Sequence, residues 1–146
     1  MSWWYKDLAR TIDYLETRKD INTEKIAYLG HSMGAHNAPI LAALEQRIKT
    51  VIMVAGGFRQ VELDPPSCKA ASFAPRMKRP LLMINGRYDS LVPVETSQKP
   101  LFRLFGTPEE HKKHVILETD HSVHLEMDRL IKEILDWLDK YLGPVK

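Results

Sequence analysis

An α/β fold, a parallel sheet of about four strands with flanking helices, is predicted by three observations. Four short apolar runs, Ile26-Ala27-Tyr28-Leu29, Lys49 to Ala55, Leu81-Leu82-Met83-Ile84 and His114 to Glu118, have the length and side-chain types of buried strands. Segments of helical spacing separate them. The first run also passes through Gly30-His31-Ser32-Met33-Gly34-Ala35 straight into such a segment, a strand-turn-helix sequence. Strands alternating with helices imply parallel pairing and right-handed crossovers.

In chain order, Trp4, Leu8, Thr11, Ile12 and Leu15 share a face, so residues 2–17 read as an amphipathic helix ended by 18–22. After the glycine turn, Ala38, Leu41, Ala42 and Glu45 fall on one side, with Leu44 and Ile48 extending the apolar part, and this helix is expected to reach about Gln46. Gly56-Gly57 stops the second strand. Periodicity then fails from 58 to 78, where Pro65-Pro66, Ser67, Cys68 and Pro75 mark an irregular, lid-like segment or a short helical excursion. The third strand breaks at Asn85-Gly86. Pro93 to Phe105 is helical but interrupted by Pro100, and Thr107 is placed as N-cap of a short turn with Pro108 first and Glu110 reaching back. Met127, Leu130, Ile131, Ile134, Leu135, Leu138 and Leu142 hold the apolar stripe of a final helix closed by Gly143-Pro144.

The chain's 146 residues suffice for one domain with a real core, taken as 1–146. Lysine and arginine number 21 against 19 acidic residues, and the net charge of +2 is interspersed, which recommends neither a nucleic-acid nor a membrane partner. The single cysteine, Cys68, excludes an intrachain disulfide. No signal-peptide pattern opens the chain and no apolar run approaches a membrane span, so a soluble, cytoplasmic protein is expected.

Chemistry concentrates at the carboxyl ends of the predicted strands, which converge on one sheet edge in a parallel sheet. Ser32 lies in G-x-S-x-G, where a strained turn exposes the serine hydroxyl and small neighbours, Gly30 and Gly34, relieve crowding. The Met33 N–H, at the start of the next helix, faces any developing oxyanion. Asp89 follows the third strand and His121 the fourth. A serine hydroxyl needs an imidazole to take its proton and an acid to hold that imidazole, and Ser32, His121 and Asp89 supply the set. Asp89 could instead cap the turn after Gly86. His124 competes with His121, which is favoured for lying closer to the strand end. His31 and His36 read as local packing or polar contacts, and His111 and His114 as surface or strand-start residues. No spacing matches a metal site, and no metal or cofactor is expected.

The motifs G-H-S-M-G-A, N-G-R-Y-D-S-L-V-P and T-D-H-S resemble those of α/β-hydrolases, in particular the prolyl-oligopeptidase and dienelactone-hydrolase branch, over nearly the whole chain. The stretch from Ala74-Pro75-Arg76 through Arg87-Tyr88-Asp89 to Gly106-Thr107-Pro108-Glu109-Glu110-His111 also resembles the hydrolase domain attached to some bacterial serine/threonine kinases, although no kinase motif is present. The resemblance implies a truncated α/β-hydrolase fold, the C-terminal half only, that begins at the helix before the elbow strand and lacks the first four strands. It implies the chain order Ser, Asp, His for the triad, and the loss of the loop that carries the family's second oxyanion donor.

The expected function is carboxylesterase activity on short acyl esters through Ser32, His121, Asp89 and the Met33 N–H, with a small-molecule ester as partner. The alternatives are a weak or silent hydrolase domain that assembles through its edge strand, and a peptidase or acyltransferase using the same triad. Arg59 or Arg87 could favour acidic substrates, or simply be solvated. Missing strands would leave Ile26 to Leu29 an apolar edge without protecting charges or prolines. Two chains are expected to pair through it as a dimer, unless the helix bearing Trp3 and Trp4 covers it.

Overall fold

The structure, a computed structural model, describes residues 2–58 and 69–144. Its elements run α1 (Ser2–Thr17), β1 (Ala27–His31), α2 (Met33–Leu44), β2 (Thr50–Val54), α3 (Ala70–Phe73), β3 (Leu81–Gly86), α4 (Lys99–Leu104), β4 (Lys112–Leu117) and α5 (Met127–Leu142). The four strands form a parallel sheet in the order β1-β2-β3-β4, with Gly30 opposite Met53, Met53 opposite Met83 and Met83 opposite His114. Each successive strand is therefore added on the same side of the last.

The central strands β2 and β3 are buried along their whole length, as their uncharged, largely β-branched and long aliphatic residues require. Alternation splits them between two layers. Val51, Met53, Leu81 and Met83 meet Ile12, Ala35, Ala38, Ala42, Ala70, Ala74, Met77, Leu101 and Phe105 on one face. Ile52, Val54, Leu82 and Ile84 meet Val115, Leu117, Val123, Leu130 and Trp137 on the other. Small residues along α2 let its backbone lie close to the sheet, and Ala35 through Ala42 are all buried. Arg47 ties α1 to the turn after α2, reaching Asp13 at 2.8 Å, Glu16 at 3.1 Å and Glu45 at 2.8 Å. Hydrogen bonding to that guanidinium holds the Glu45 carboxyl below its ordinary range.

Several sequence expectations are corrected. Helix α2 stops at Leu44 rather than Gln46, because Glu45 turns inward to Arg47, and Leu44 is exposed. Strand β1 is not buried on both faces: among the described residues it is an edge strand, and Leu29 is 53 % exposed. β3 runs on through Asn85 and Gly86, since the Asn85 amide donates to the Gly56 carbonyl at 2.7 Å and Gly86 lies under the backbone of Thr119 and Asp120. Pro100 does not interrupt a helix. It stands in the first turn of α4, where its missing N–H costs nothing, and a wider turn over Val94–Gln98 precedes it. Thr107 is not an N-cap; its hydroxyl donates to the Arg79 carbonyl at 2.7 Å.

The stripe on α5 also divides. Leu130, Ile134 and Leu138 face the core with Trp137 and Tyr141, while Met127, Ile131 and Leu135 are exposed. Trp137 is held by its indole N–H, which donates to Thr50 Oγ1 at 2.7 Å. Of the lid-like segment, 59–68 lies outside the described residues, Arg59 and Cys68 included. Residues 70–77 are a helical excursion packed into the core through Ala70, Ala74 and Met77. Helix α1 packs on α2 through the core residue Ile12, and Trp3 and Trp4 remain exposed. No described helix is long and apolar enough to cross a membrane.

His114 lies near the start of β4, one of its two readings, but it is part-buried rather than on the surface. Its ring stacks on Phe102 at 5.4 Å, and Nε2 donates to Asn85 Oδ1 at 3.1 Å. Burial, reinforced by the Lys99 ammonium, pushes its pKa down to about 4 from 6.5. Between those values the unfolded chain binds a proton that the native chain does not, so stability is full above pH 6.5 and falls as the pH drops toward 4. The expected loss is on the order of 3 kcal/mol. Urea midpoints at pH 7.5 and 4.5 test it: the loss should shrink in His114→Gln, and the same loss in both proteins would refute the assignment.

Candidate active site

The elbow is built by close backbone packing. Ser32 sits between β1 and α2 at φ 49° and ψ −105°, a left-handed conformation that serine rarely adopts. Its N–H donates to the Val54 carbonyl at 2.8 Å, and its carbonyl accepts from the His36 N–H at 2.9 Å. A Cβ on Gly30 would lie 2.4 Å from the Gly34 carbonyl carbon and 2.7 Å from the Ala35 nitrogen, so only glycine fits there. Gly34 is different. A Cβ there would meet only the Tyr28 hydroxyl oxygen at 3.7 Å, an ordinary contact, so crowding does not require the second glycine of the motif.

Asp89 stands in the loop beyond β3. Its Oδ1 accepts from the Leu91 and Val92 N–H groups at 2.9 and 3.0 Å, and its Oδ2 lies 2.7 Å from His121 Nδ1. Turn capping and the contact with histidine are thus both real, shared between the two oxygens of one carboxyl. The side chain is fully buried.

The third member arrives from the loop after β4. Asp120 Oδ1 accepts from the Ser122 N–H at 2.7 Å and shapes that loop, while Gly86 allows it to pass over β3. His121 Nε2 comes within 2.9 Å of Ser32 Oγ. A carboxylate oxygen can only accept, so the imidazole proton sits on Nδ1 and Nε2 accepts from the serine hydroxyl. Ser32, His121 and Asp89, far apart in sequence, form one hydrogen-bonded chain. His124, on the turn at 123–126, is exposed and lines no part of the cavity beside Ser32.

That cavity measures about 300 Å³. Met33, Leu91, Val92, Ala55 and Gly57 give it an apolar wall, with His36 beside Ser32 and His121. Met33 opens α2, and the N–H groups of a helix's first turn have no acceptor within the helix, which suits them to a developing negative charge. Among the described residues, Ser32 and Ala55 are the two non-glycine positions with positive φ, and both line this cavity.

Sequence reasoning missed the wall residues. His36 is more than a local contact: it is buried, its Nδ1 is 3.4 Å from the Gly57 carbonyl, and its position four residues after Ser32 on α2 was the available signal. His31 lies 5.9 Å from the His121 ring, and burial together with the neighbouring His121 and His124 lowers its pKa. His111 contacts the Tyr141 hydroxyl at 3.1 Å. Arg87 pairs with Glu118 at 2.6 Å and does not line the cavity.

Sheet order, elbow and convergent loops define a protein of the α/β-hydrolase class. The model of the dienelactone hydrolase family matches residues 2–126, and the chain belongs to that family. Solved structures share the fold. A cold-adapted esterase from an Arctic intertidal metagenomic library is 21% identical with a TM-score of 0.72, over 93% of this chain and 57% of the esterase. The 2,6-dihydroxy-pseudo-oxynicotine hydrolase is 22% identical with a TM-score of 0.79, over 95% of this chain and 46% of that one. The α/β hydrolase GrgF from Penicillium is 14% identical with a TM-score of 0.78, over 96% and 72%. This chain thus spans about half the length of the esterase and the oxynicotine hydrolase. No curated protein matches.

Proposed function

We propose that the protein is a serine hydrolase, a carboxylesterase acting on short acyl esters through an acyl-enzyme. The observation that carries this is the chain Ser32 Oγ to His121 Nε2 at 2.9 Å and His121 Nδ1 to the buried Asp89 carboxyl at 2.7 Å. Family membership and an esterase among the structural neighbours support it. Ser32 Oγ attacks the acyl carbonyl carbon as its proton passes to His121 Nε2, and the Met33 N–H donates to the carbonyl oxygen as it becomes negative. The ester C–O bond breaks, and His121 returns the proton to the leaving alcohol. Water, deprotonated by His121 Nε2, then attacks the acyl carbonyl, and as the bond to Ser32 Oγ breaks, His121 returns that proton to Ser32 and the acid leaves. Asp89 holds the imidazole in the tautomer that this needs.

The small apolar cavity supports short acyl groups. A series of nitrophenyl esters from acetate to octanoate tests this: kcat/KM should fall with chain length, and a rise toward octanoate would overturn it. Labelling by a fluorophosphonate probe that disappears in His121→Ala supports the serine chemistry. No labelling of the folded protein would sink it and leave the silent, assembling domain as the reading.

We also propose that two chains pair through β1. The strand bonds to β2 alone among the described residues, and Leu29 is exposed on it, whereas the opposite edge, β4, carries the exposed charge of Lys113. Light scattering should give a dimer that Ala27→Lys converts to monomer; a monomeric wild type would refute the pairing.

A further inference from the structure

We infer that Gln98 is a positioning residue for this site, acting through the loop that carries Asp89; the inference rests on the triad reading above. Gln98 is wholly buried, and its Nε2 spends both hydrogens on that loop, donating to the Gly86 carbonyl at 2.9 Å and to the Val92 carbonyl at 2.8 Å. Those carbonyls are the two ends of the segment with Asp89 at its centre. Both are acceptors, so the amide nitrogen must face them, and the side chain has one productive orientation.

The clamp connects to the rest of the site in two directions. Toward the acid, Asp89 Oδ1 is bonded to the Leu91 and Val92 N–H groups, so the carboxyl is rigid with respect to the loop and the loop with respect to Gln98. Toward the cavity wall, the neighbouring Ser97 hydroxyl donates to the Phe58 carbonyl at 2.7 Å, and Ser97 Oγ lies so close to Gly57 that a Cβ there would come within 2.3 Å of it. Gln98 belongs to a wide turn in which its N–H bonds to the Pro93 carbonyl, five residues back, at 3.1 Å. Such one-turn widenings in helices gather at functional sites. Here the turn sets the acid and the wall of the acyl cavity from one short element. A small displacement of Oδ2 from His121 Nδ1 misaligns the imidazole against Ser32, and misplacement of about 1 Å can cost on the order of 100-fold in rate.

The test is Gln98→Met, similar in size but without the two donors, alone and combined with Asp89→Asn. Alone it should lower kcat for a nitrophenyl ester about 10- to 100-fold with KM little changed. In the Asp89→Asn background it should cost nothing more, because the effect runs through Asp89. Losses that multiply would show a general packing role and overturn the inference. A second readout needs no turnover: the downfield proton resonance of His121 Nδ1–H against Asp89 should weaken or shift in Gln98→Met, and an unchanged resonance also overturns it. Gln98→Asn, with the amide kept but drawn back by one methylene, gives the same comparisons should the methionine variant not fold. A wild type that shows the resonance but no labelling by fluorophosphonate would refute the hydrolase reading while leaving the clamp on Asp89 standing.

Discussion

Ser32→Ala is expected to abolish ester hydrolysis and fluorophosphonate labelling while leaving the fold intact. The hydroxyl is the group of the cavity that His121 Nε2 can deprotonate, at 2.9 Å. Removing a nucleophile of this kind lowers kcat by about 10⁶-fold, leaving only what binding and oxyanion stabilisation supply. KM should change little, because the wall made by Met33, Leu91 and Val92 is untouched. Stability should also change little. The elbow is held by its backbone bonds to Val54 and His36, which alanine keeps, and the Cβ in the left-handed conformation is already present in serine. Activity and labelling would be read beside a thermal melt. Retained labelling in a folded Ser32→Ala protein would place the nucleophile elsewhere.

Gly30→Ala is expected to be the most damaging single-methyl change at the elbow, and Gly34→Ala among the mildest, although both glycines belong to the same motif. The new Cβ at Gly30 would stand 2.4 and 2.6 Å from the Gly34 carbonyl carbon and oxygen, and these are backbone atoms at the start of α2 that cannot rotate away. Relief requires α2 to move off β1, opening the first core layer and shifting Ser32 together. A destabilisation on the order of 3–5 kcal/mol follows, with activity lost in whatever fraction folds. At Gly34 the added methyl meets only the Tyr28 hydroxyl oxygen at 3.7 Å, and alanine suits a helix better than glycine by about 1 kcal/mol. Gly34→Ala should therefore keep its melting temperature or raise it slightly. Denaturant titration of the two variants tests the contrast, and equal destabilisation would show that the elbow is not packed as described.

The sequence by itself determined the strands, the elbow and the identity of the three polar residues that meet. Those depend on local rules: four apolar runs of strand length, helical spacing between them, a serine flanked by small residues, and an acid and an imidazole just beyond strand ends. It also placed the exposed edge at the strand around Ile26 to Leu29. Tertiary structure decided what depends on distant neighbours. Whether Leu29, Leu44 or Ile131 is covered is set by which elements lie opposite, and the spacing within their own segments carries no information about that. Gly30 and Gly34 look alike in the motif; only the path of α2 over β1 separates the essential one from the tolerant one. His114 reads as a polar strand start until Phe102 and Asn85 close around it. Gln98 is one polar residue among many in a helical stretch, and its meaning comes from the two carbonyls, 12 and 6 residues earlier, that the loop around Asp89 happens to present. Hydrogen-bond partners of that kind follow from chain geometry in three dimensions: the fold brings two carbonyls within reach of the Gln98 Nε2 hydrogens, while its buried Oε1 has no hydrogen-bond partner among the described residues.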